Sequence, residues 1–196
     1  MGINLNLFNI NHNLTKLDKG KCLISEPFSP DSYFGRSVVL ITEHDEKDGT
    51  LGYILNKPVE IKINELFPDI PTFNAQCYIG GPVNPDTIHY IHNRIDLLPN
   101  SLHIIDNIYW GGEFELLKDL ILTKTINENE IKFYLGYSGW APEQLLQEID
   151  DKYWIVSDID PQKIMIRNHN IWKDLLNEKG ESYSLWANAP TNPGMN

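Results

Sequence analysis

The sequence has few cysteines, few basic residues and no long apolar run, and each shortage excludes a class of protein. Only two of the 196 residues are cysteines, Cys22 and Cys77, and no Cys-x-x-Cys motif exists. We expect both to be small buried hydrophobic residues, and a disulfide or redox pair is the less favoured alternative. No apolar run approaches the roughly 18 residues that span a membrane, and the first residues lack the basic start of a signal peptide. The remaining prediction is a cytoplasmic protein without a membrane partner.

Basic residues are outnumbered by acidic ones. Lys and Arg together number 16 against 27 Asp and Glu, which gives a formal net charge of −11. Because binding to DNA requires clustered basic side chains that neutralise phosphates, direct DNA binding is disfavoured. The hydrophobic content of 41% is ordinary for a globular protein. The chain length suits one domain of about 100–200 residues.

Hydrophobic periodicity predicts strands through the first half of the chain and helices later. The clearest prediction is a β-hairpin, in which strands over 37–43 and 51–56 flank the turn signal Asp48-Gly49. Such an order favours an α+β fold with a largely antiparallel sheet. We predict an N-terminal arm over 1–19, a single domain over 20–180 and an irregular tail over 181–196 that lies extended from Leu185 onward. The predicted helices cover 64–67, 113–122, 143–149 and 171–176.

The stretch Gly136-Tyr137-Ser138-Gly139-Trp140-Ala141-Pro142 lies between a strand pattern over 131–135 and a helical pattern. It therefore predicts a turn that brings loop side chains to a sheet edge. The order of elements resembles the nucleophile elbow G-x-S-x-G, but the second glycine follows Ser138 directly, so the spacing differs. A turn whose serine hydroxyl bonds its own backbone is favoured over a catalytic Ser138 assisted by a histidine.

Three further glycine-rich stretches mark candidate sites. Gly80-Gly81 ends a predicted strand, and chain reversal is favoured over a close backbone approach to a ligand or another strand. Trp110-Gly111-Gly112 and the segment 139–142 precede helices, whose first N–H groups attract anions. Capping of these groups by Glu113 and Glu143 is favoured over ligand binding.

Other polar and aromatic residues have structural and functional interpretations. Arg36 precedes a buried strand, and an ion pair with a carboxylate is favoured over anion binding. His89 and His92 lie three apart in a strand and should point to opposite faces, so they predict no shared metal site. Trp140 and Trp186, among Pro and Gly, are the tryptophans best placed to line a groove.

Five motifs occur in an order that resembles a known family. They are 30–39 with Glu43-His44, 52–58, Gly80-Gly81-Pro82-Val83, Trp110-Gly111-Gly112 and 136–142. Between residues 21 and 173 the chain resembles the AlgH/YqgE family of bacterial proteins. The resemblance implies a cytosolic α+β domain with a sheet bent into a partial barrel and helices around it. One branch is labelled a transcriptional regulator, and the resemblance implies no reaction or catalytic residue.

The favoured hypothesis is a regulatory protein that binds a small molecule or a protein where the glycine-rich turns meet. Its candidate binding residues are Arg36, Asn56, Gly80, Gly81, Trp110, Gly111, Ser138 and Trp140. The alternative is an enzyme, such as a hydrolase that uses Ser138 or a nearby histidine. We expect no cofactor and no bound metal.

Overall fold

The computed structural model describes residues 15–29 and 31–190. Most of the predicted arm, Pro30 and the end of the predicted tail lie outside this range, and the domain boundaries stay predictions. The described residues contain ten strands and six helices. The strands are β1 (Cys22–Ser25), β2 (Val38–Asp45), β3 (Gly49–Ile54), β4 (Pro58–Val59), β5 (Cys77–Ile79), β6 (Val83–His92), β7 (Leu102–Ile105), β8 (Ile108–Trp110), β9 (Ile131–Trp140) and β10 (Trp154–Ser157). The helices are α1 (Ile63–Leu66), α2 (Phe114–Leu122), α3 (Gln144–Asp150), α4 (Pro161–Met165), α5 (Ile171–Glu178) and α6 (Glu181–Ala187).

All ten strands join one mixed sheet that does not close within the described residues. Eight of them follow the order β10-β1-β2-β3-β9-β6-β8-β7, and every neighbouring pair in this order is antiparallel. The short β4–β5 pair is attached by the parallel pairing of β5 with β9. The predicted α+β fold with a largely antiparallel sheet is therefore confirmed.

The sheet bends into the predicted partial barrel. A Cβ atom on Gly20, just before β1, would lie 3.2 Å from the Cβ of Ile105 in β7. Ile104 of β7 also shares a buried cluster with Cys22 of β1 and Leu40 of β2. Strands from opposite ends of the strand order therefore pack on each other, because both bury their apolar side chains in the same interior.

Three buried clusters cover the two faces of the sheet. The inner core lies between the sheet and helices α4–α6 and includes Leu40, Tyr53, Tyr134, Ile164, Trp172, Leu176 and Trp186. The α2 core lies on the other face of the half that contains β5, β6 and β9, and includes Cys77, Tyr90, Leu117, Ile121 and Phe133. The α3 core lies on the other face of the half that contains β1–β3, and includes Leu23, Val39, Ile54, Trp140 and Leu145.

The β2–β3 hairpin confirms the clearest sequence prediction. Its strands pair antiparallel from Val39 opposite Ile54 to Asp45 opposite Gly49. Consecutive residues of β2 are buried on both faces, with Leu40 in the inner core and Val39 in the α3 core. A continuous apolar run is typical of a strand covered on both sides.

The predicted turn over 136–142 is wrong, since residues 136–140 continue β9. Thr50 of β3 pairs with Trp140, and Val83 of β6 pairs with Tyr137. Gly136 has a φ of +63° and shifts the alternation of side chains by one residue. As a result Tyr134 before it and Tyr137 after it both contact the inner core, although three residues separate them. Strands on both sides supply the hydrogen bonds that make this glycine-containing segment a strand.

The predicted extended tail is also wrong for residues 185–187, which belong to α6. Trp186 is only 5% exposed and Ala187 is buried, both in the inner core. Such a short helix shows little periodicity, and its packing on α5 and the sheet stabilises it. Helix α4 was likewise not predicted; it begins after Asp160, whose side chain accepts a hydrogen bond from the N–H of Gln162.

Both cysteines are free and buried, as predicted. Burial raises the pKa of the Cys22 thiol to about 12 and that of Cys77 to about 11, so neither thiol is activated. Across residues 15–29 and 31–190, no helix has the length and apolar character needed to cross a membrane.

Candidate functional site

Gly80 and Gly81 allow the chain after β5 to cross closely over β9. A Cβ atom on Gly80 would lie 2.2 Å from the carbonyl oxygen of Gly136, and one on Gly81 would lie 2.3 Å from the carbonyl carbon of Tyr137. No side chain fits at such distances. We call this contact between 80–81 and 136–138 the glycine crossing. The close approach that the glycine pair allows is thus to another strand.

The Ser138 side chain belongs to the glycine crossing. Its hydroxyl is fully buried and donates a hydrogen bond of 2.9 Å to the carbonyl oxygen of Gly80. The same oxygen accepts the N–H of Ile54 at 3.0 Å. The predicted bond from Ser138 to its own turn is therefore wrong. No histidine is among its hydrogen-bond partners within the described segments, so nothing here activates the hydroxyl as a nucleophile.

Arg36 and Asn56 contact each other at the other end of β3. The Asn56 amide donates to the carbonyl of Arg36 at 2.9 Å and accepts from the N–H of Val38 at 3.0 Å. The Arg36 guanidinium donates to the carbonyl of Ala189 at 2.6 Å and lies 5.2 Å from the centre of the Trp172 ring. The predicted ion pair with a carboxylate is wrong for the described residues, because a carbonyl and an aromatic ring hold this cation.

Trp110 and Gly111 lie where β8 leads into α2. The Trp110 ring lies 6.0 Å from Tyr53 and 6.4 Å from His89, measured between ring centres. The carbonyl of Gly111 accepts a hydrogen bond from Ser101 at 2.9 Å, and His92 Nε2 lies 3.1 Å from it. Glu113 and Glu143 were expected to cap helices α2 and α3, but neither side chain makes a capping hydrogen bond.

His89 and His92 lie on opposite faces of β6, as predicted. His89 contacts Tyr53 of the inner core, and His92 contacts Tyr90 of the α2 core. The N–H of Arg94 donates to His92 Nδ1 at 3.1 Å, so Nε2 carries the proton. Burial lowers the pKa of His92 to about 4 and keeps the ring neutral.

An open groove of about 770 Å³ lies where the tip of the β2–β3 hairpin meets the end of β9. Its lining includes Glu43, His44, Asp48, Thr50, Tyr137 and Trp140. Of the eight candidate binding residues, only Trp140 lines this hairpin groove. The Trp140 ring is 5% exposed and its indole N–H donates to Glu148, so the ring is mainly part of the α3 core.

The hairpin groove is acidic. Four carboxylates, Asp18, Glu43, Asp45 and Asp48, and one lysine, Lys19, line it. Asp45 accepts the N–H groups of residues 47 and 48, and these bonds lower its pKa. The Asp45 carboxylate therefore stays ionised at neutral pH, and the excess of acidic side chains places a negative potential on the groove.

The hairpin positions the remaining groove residues. His44 pairs with Thr50 across the two strands, and His44 Nδ1 lies 2.8 Å from the Thr50 hydroxyl. A Cβ on Gly49 would lie 2.3 Å from the carbonyl oxygen of Trp140, so only glycine lets the hairpin approach β9 so closely. The sequence predicts the hairpin but not its contact with β9, and so Tyr137 and Thr50 were missed as groove residues.

No group of three or more His, Cys, Asp or Glu side chains in the described part of the chain could hold a metal ion. The acidic groove therefore offers carboxylates at separate positions along an open surface. Such an arrangement suits a ligand with extended positive charge better than a single metal ion.

Known proteins share this sequence and fold. The AlgH-like family model matches residues 22–184. A UPF0301 protein of Cytophaga hutchinsonii is 40% identical over 182 residues, which are 92% of this chain and 100% of that protein. A UPF0301 protein of Bacteroides fragilis, BF2109, is 37% identical over the full length of both chains.

Two solved structures have the same fold. The crystal structure of protein DIP2367 from Corynebacterium diphtheriae has a TM-score of 0.70 at 24% identity, and covers 94% of this chain and 98% of its own. The solution structure of AlgH from Pseudomonas aeruginosa has a TM-score of 0.69 at 23% identity, over 91% and 98% of the two chains. The family match over most of the length, supported by close relatives, establishes that the chain belongs to the AlgH-like family.

Proposed function

We propose that this chain is a cytoplasmic regulatory protein whose hairpin groove binds a cationic group of a partner protein. The observation that carries the proposal is the set of four carboxylates against one lysine around an open groove of about 770 Å³. Complementary charge steers such a partner to the groove and sets its orientation.

The aromatic lining of the groove supports the same ligand class. Tyr137 lines the hairpin groove and is only partly buried. An exposed tyrosine ring attracts an ammonium or guanidinium group by about 0.5–1 kcal/mol. A lysine-rich or arginine-rich segment would therefore place one side chain near Tyr137 and others near Glu43 and Asp48.

The hydrolase alternative has no such support. The Ser138 hydroxyl is buried and bonded to a backbone carbonyl, and His44 is engaged with Thr50. An acidic groove also repels phosphates, so we expect any effect on transcription to be indirect. Filter binding at low salt should retain no DNA, and salt-sensitive retention would contradict this expectation.

The experiment is a calorimetric titration of the full chain with a lysine-rich peptide at low salt. We expect the double variant Glu43→Gln/Asp48→Asn to bind at least about tenfold more weakly, and binding to the native chain to weaken as salt is added. The matched control is Asp119→Asn/Glu181→Gln, which makes the same charge change at exposed positions on α2 and α6.

Two outcomes would overturn the proposal. One is the absence of peptide binding to the native chain at low salt. The other is an equal loss of affinity in both double variants, which would mean that the peptide responds only to net charge. Tyr137→Leu gives a finer test, since it removes the aromatic ring without altering charge.

A further inference from the structure

Lys132 occupies an interior position in the first half of β9. Only 3% of its surface is exposed. Its ammonium nitrogen donates to the carbonyl of Ile166 at 2.9 Å and lies 4.9 Å from the centre of the Tyr78 ring. Within the described ranges, no carboxylate forms a salt bridge with it. A buried lysine without a carboxylate partner costs stability, so a purely structural explanation is weak.

The surroundings of Lys132 favour its neutral amine. Its pKa is lowered to about 7, mainly by burial and also by the nearby positive charge of Arg167. A large fraction of the side chain is therefore neutral at neutral pH. A neutral lysine amine is a nucleophile, whereas the ammonium form is not.

A pocket of about 260 Å³ adjoins Lys132. It lies between β9 and the segment after α4, and Gln76, Glu128, Met165 and Arg167 contribute to its lining. Asn129, Ile166 and Arg167 at its margin are exposed, so the pocket opens to solvent. The volume equals roughly nine water molecules of the liquid, which limits a ligand to a few heavy atoms.

We propose that Lys132 is a carbonyl-capturing lysine that forms an imine with a small oxo acid in this pocket. The amine nitrogen adds to the carbonyl carbon and forms a carbinolamine. Loss of one water molecule, made of the carbonyl oxygen and the two amine hydrogens, leaves a C=N bond between the lysine and the former carbonyl carbon. The step needs no oxidant or reductant, and hydrolysis reverses it.

Arg167 selects the acid group of the ligand. One of its guanidinium nitrogens donates to the carbonyl of Asn74 at 2.6 Å, and its other N–H groups are available to pair with a carboxylate. Glu128 also lines the pocket and repels a second negative charge. The favoured ligand class is therefore a short aldehyde or ketone that carries a single carboxylate.

The test uses glyoxylate as the probe and sodium cyanoborohydride to reduce any imine to a stable secondary amine. The full chain is treated at neutral pH, digested, and analysed by mass spectrometry for carboxymethylated lysines. We expect Lys132 to be modified at least about tenfold faster than the exposed Lys173, because Arg167 binds the carboxylate of glyoxylate beside it and burial favours its neutral amine. Modification of Lys132 no faster than that of Lys173 would overturn the proposal.

Two variants separate capture from general reactivity. Lys132→Met should remove the adduct at this position and leave labelling of the other lysines unchanged. Because Arg167 also lowers the pKa of Lys132, Arg167→Gln should slow the reaction with any aldehyde to some extent, but it should slow the reaction with glyoxylate more than that with glycolaldehyde, which has no carboxylate. Equal slowing with both probes would contradict the role of Arg167 and, with it, the oxo-acid ligand class.

Discussion

The two halves of β9 use polar residues in different ways. The second half, around Ser138, is crossed by the backbone of Gly80 and Gly81, and its buried hydroxyl is bonded to a carbonyl. The first half places Lys132 in the interior, where no carboxylate of the described residues pairs with it, and Ile131 at the start of the strand pairs with the buried His92. Both segments lie in the same strand, and both Lys132 and Ser138 are buried.

This difference distinguishes residues that serve close packing from residues whose ionisable groups are buried. At the glycine crossing, close backbone contact leaves no room for a ligand, and the conspicuous glycine motif serves to join strands. In the first half, burial favours the neutral forms of Lys132 and of the neighbouring His92, so both groups respond to pH. Motif residues are thus not the most reactive residues of this strand, and four variants can test the contrast.

The largest expected effect comes from adding a side chain at the glycine crossing. Gly80→Val should destabilise the protein by more than about 4 kcal/mol, because its Cβ would overlap the Gly136 carbonyl. Gly111→Ala is the matched control: its φ is +74° but no atom lies within 4 Å of the added Cβ, so we expect a loss of about 1–2 kcal/mol. Denaturant unfolding measures both, and equal losses would contradict close packing at the crossing.

The next largest effect should be a gain of stability when Lys132, in the first half of β9, is replaced. Lys132→Met removes a buried amine, and we expect a gain of about 3 kcal/mol at and below pH 7, where the unfolded chain binds the proton more strongly. The native protein should become more stable as pH rises from about 7 to the ordinary value of 10.5, so the gain should shrink over that range. Unfolding free energies measured against pH test this, and a gain that stays constant between pH 7 and 10.5 would contradict it.

A comparable pH effect is expected at His92. Its folded-state pKa is about 4 and its ordinary value is 6.5, so the unfolded chain binds more protons between these values. Stability should therefore fall as pH drops from 6.5 to 4, by up to about 3 kcal/mol in all. Unfolding free energies measured against pH test this: His92→Gln should remove this contribution and leave the rest of the acid transition, and an unchanged pH profile in this variant would contradict the role of His92.

The smallest effect is expected at Ser138. Ser138→Ala removes one buried hydrogen bond, but the Gly80 carbonyl keeps its bond from Ile54, so we expect a loss of about 1 kcal/mol. Binding of the lysine-rich peptide should be unchanged in this variant. A loss of peptide affinity without a change in fold would place Ser138 in the site and contradict its assignment to packing.

Local patterns predicted those elements whose cause is local. The Asp48-Gly49 turn between apolar runs identified the hairpin that joins β2 to β3. Helix α2 was predicted because its apolar residues recur along one face. Each of these elements carries its own turn or periodic signal within a few residues.

The other predictions were wrong because the structures concerned depend on contacts between residues that are distant in the sequence. Residues 136–140 contain two glycines and were predicted as a turn, but β3 and β6 on either side make them a strand. The Arg36 guanidinium meets a carbonyl 153 residues away in the sequence, which no local pattern reveals. Helix α6 forms because the inner core accepts its tryptophan, and intrinsic propensity over so few residues is too weak to predict it.

The amino-acid sequence by itself determined the family, the α+β class, the hairpin and the negative charge, since composition and short-range order encode these properties. Only the tertiary structure decided which residues pack in the interior and which line a groove or pocket. The reason is physical: burial, pairing and pKa depend on neighbours that are distant along the chain. In this protein the glycine crossing is tightly packed, whereas the hairpin groove and the Lys132 pocket are open to solvent.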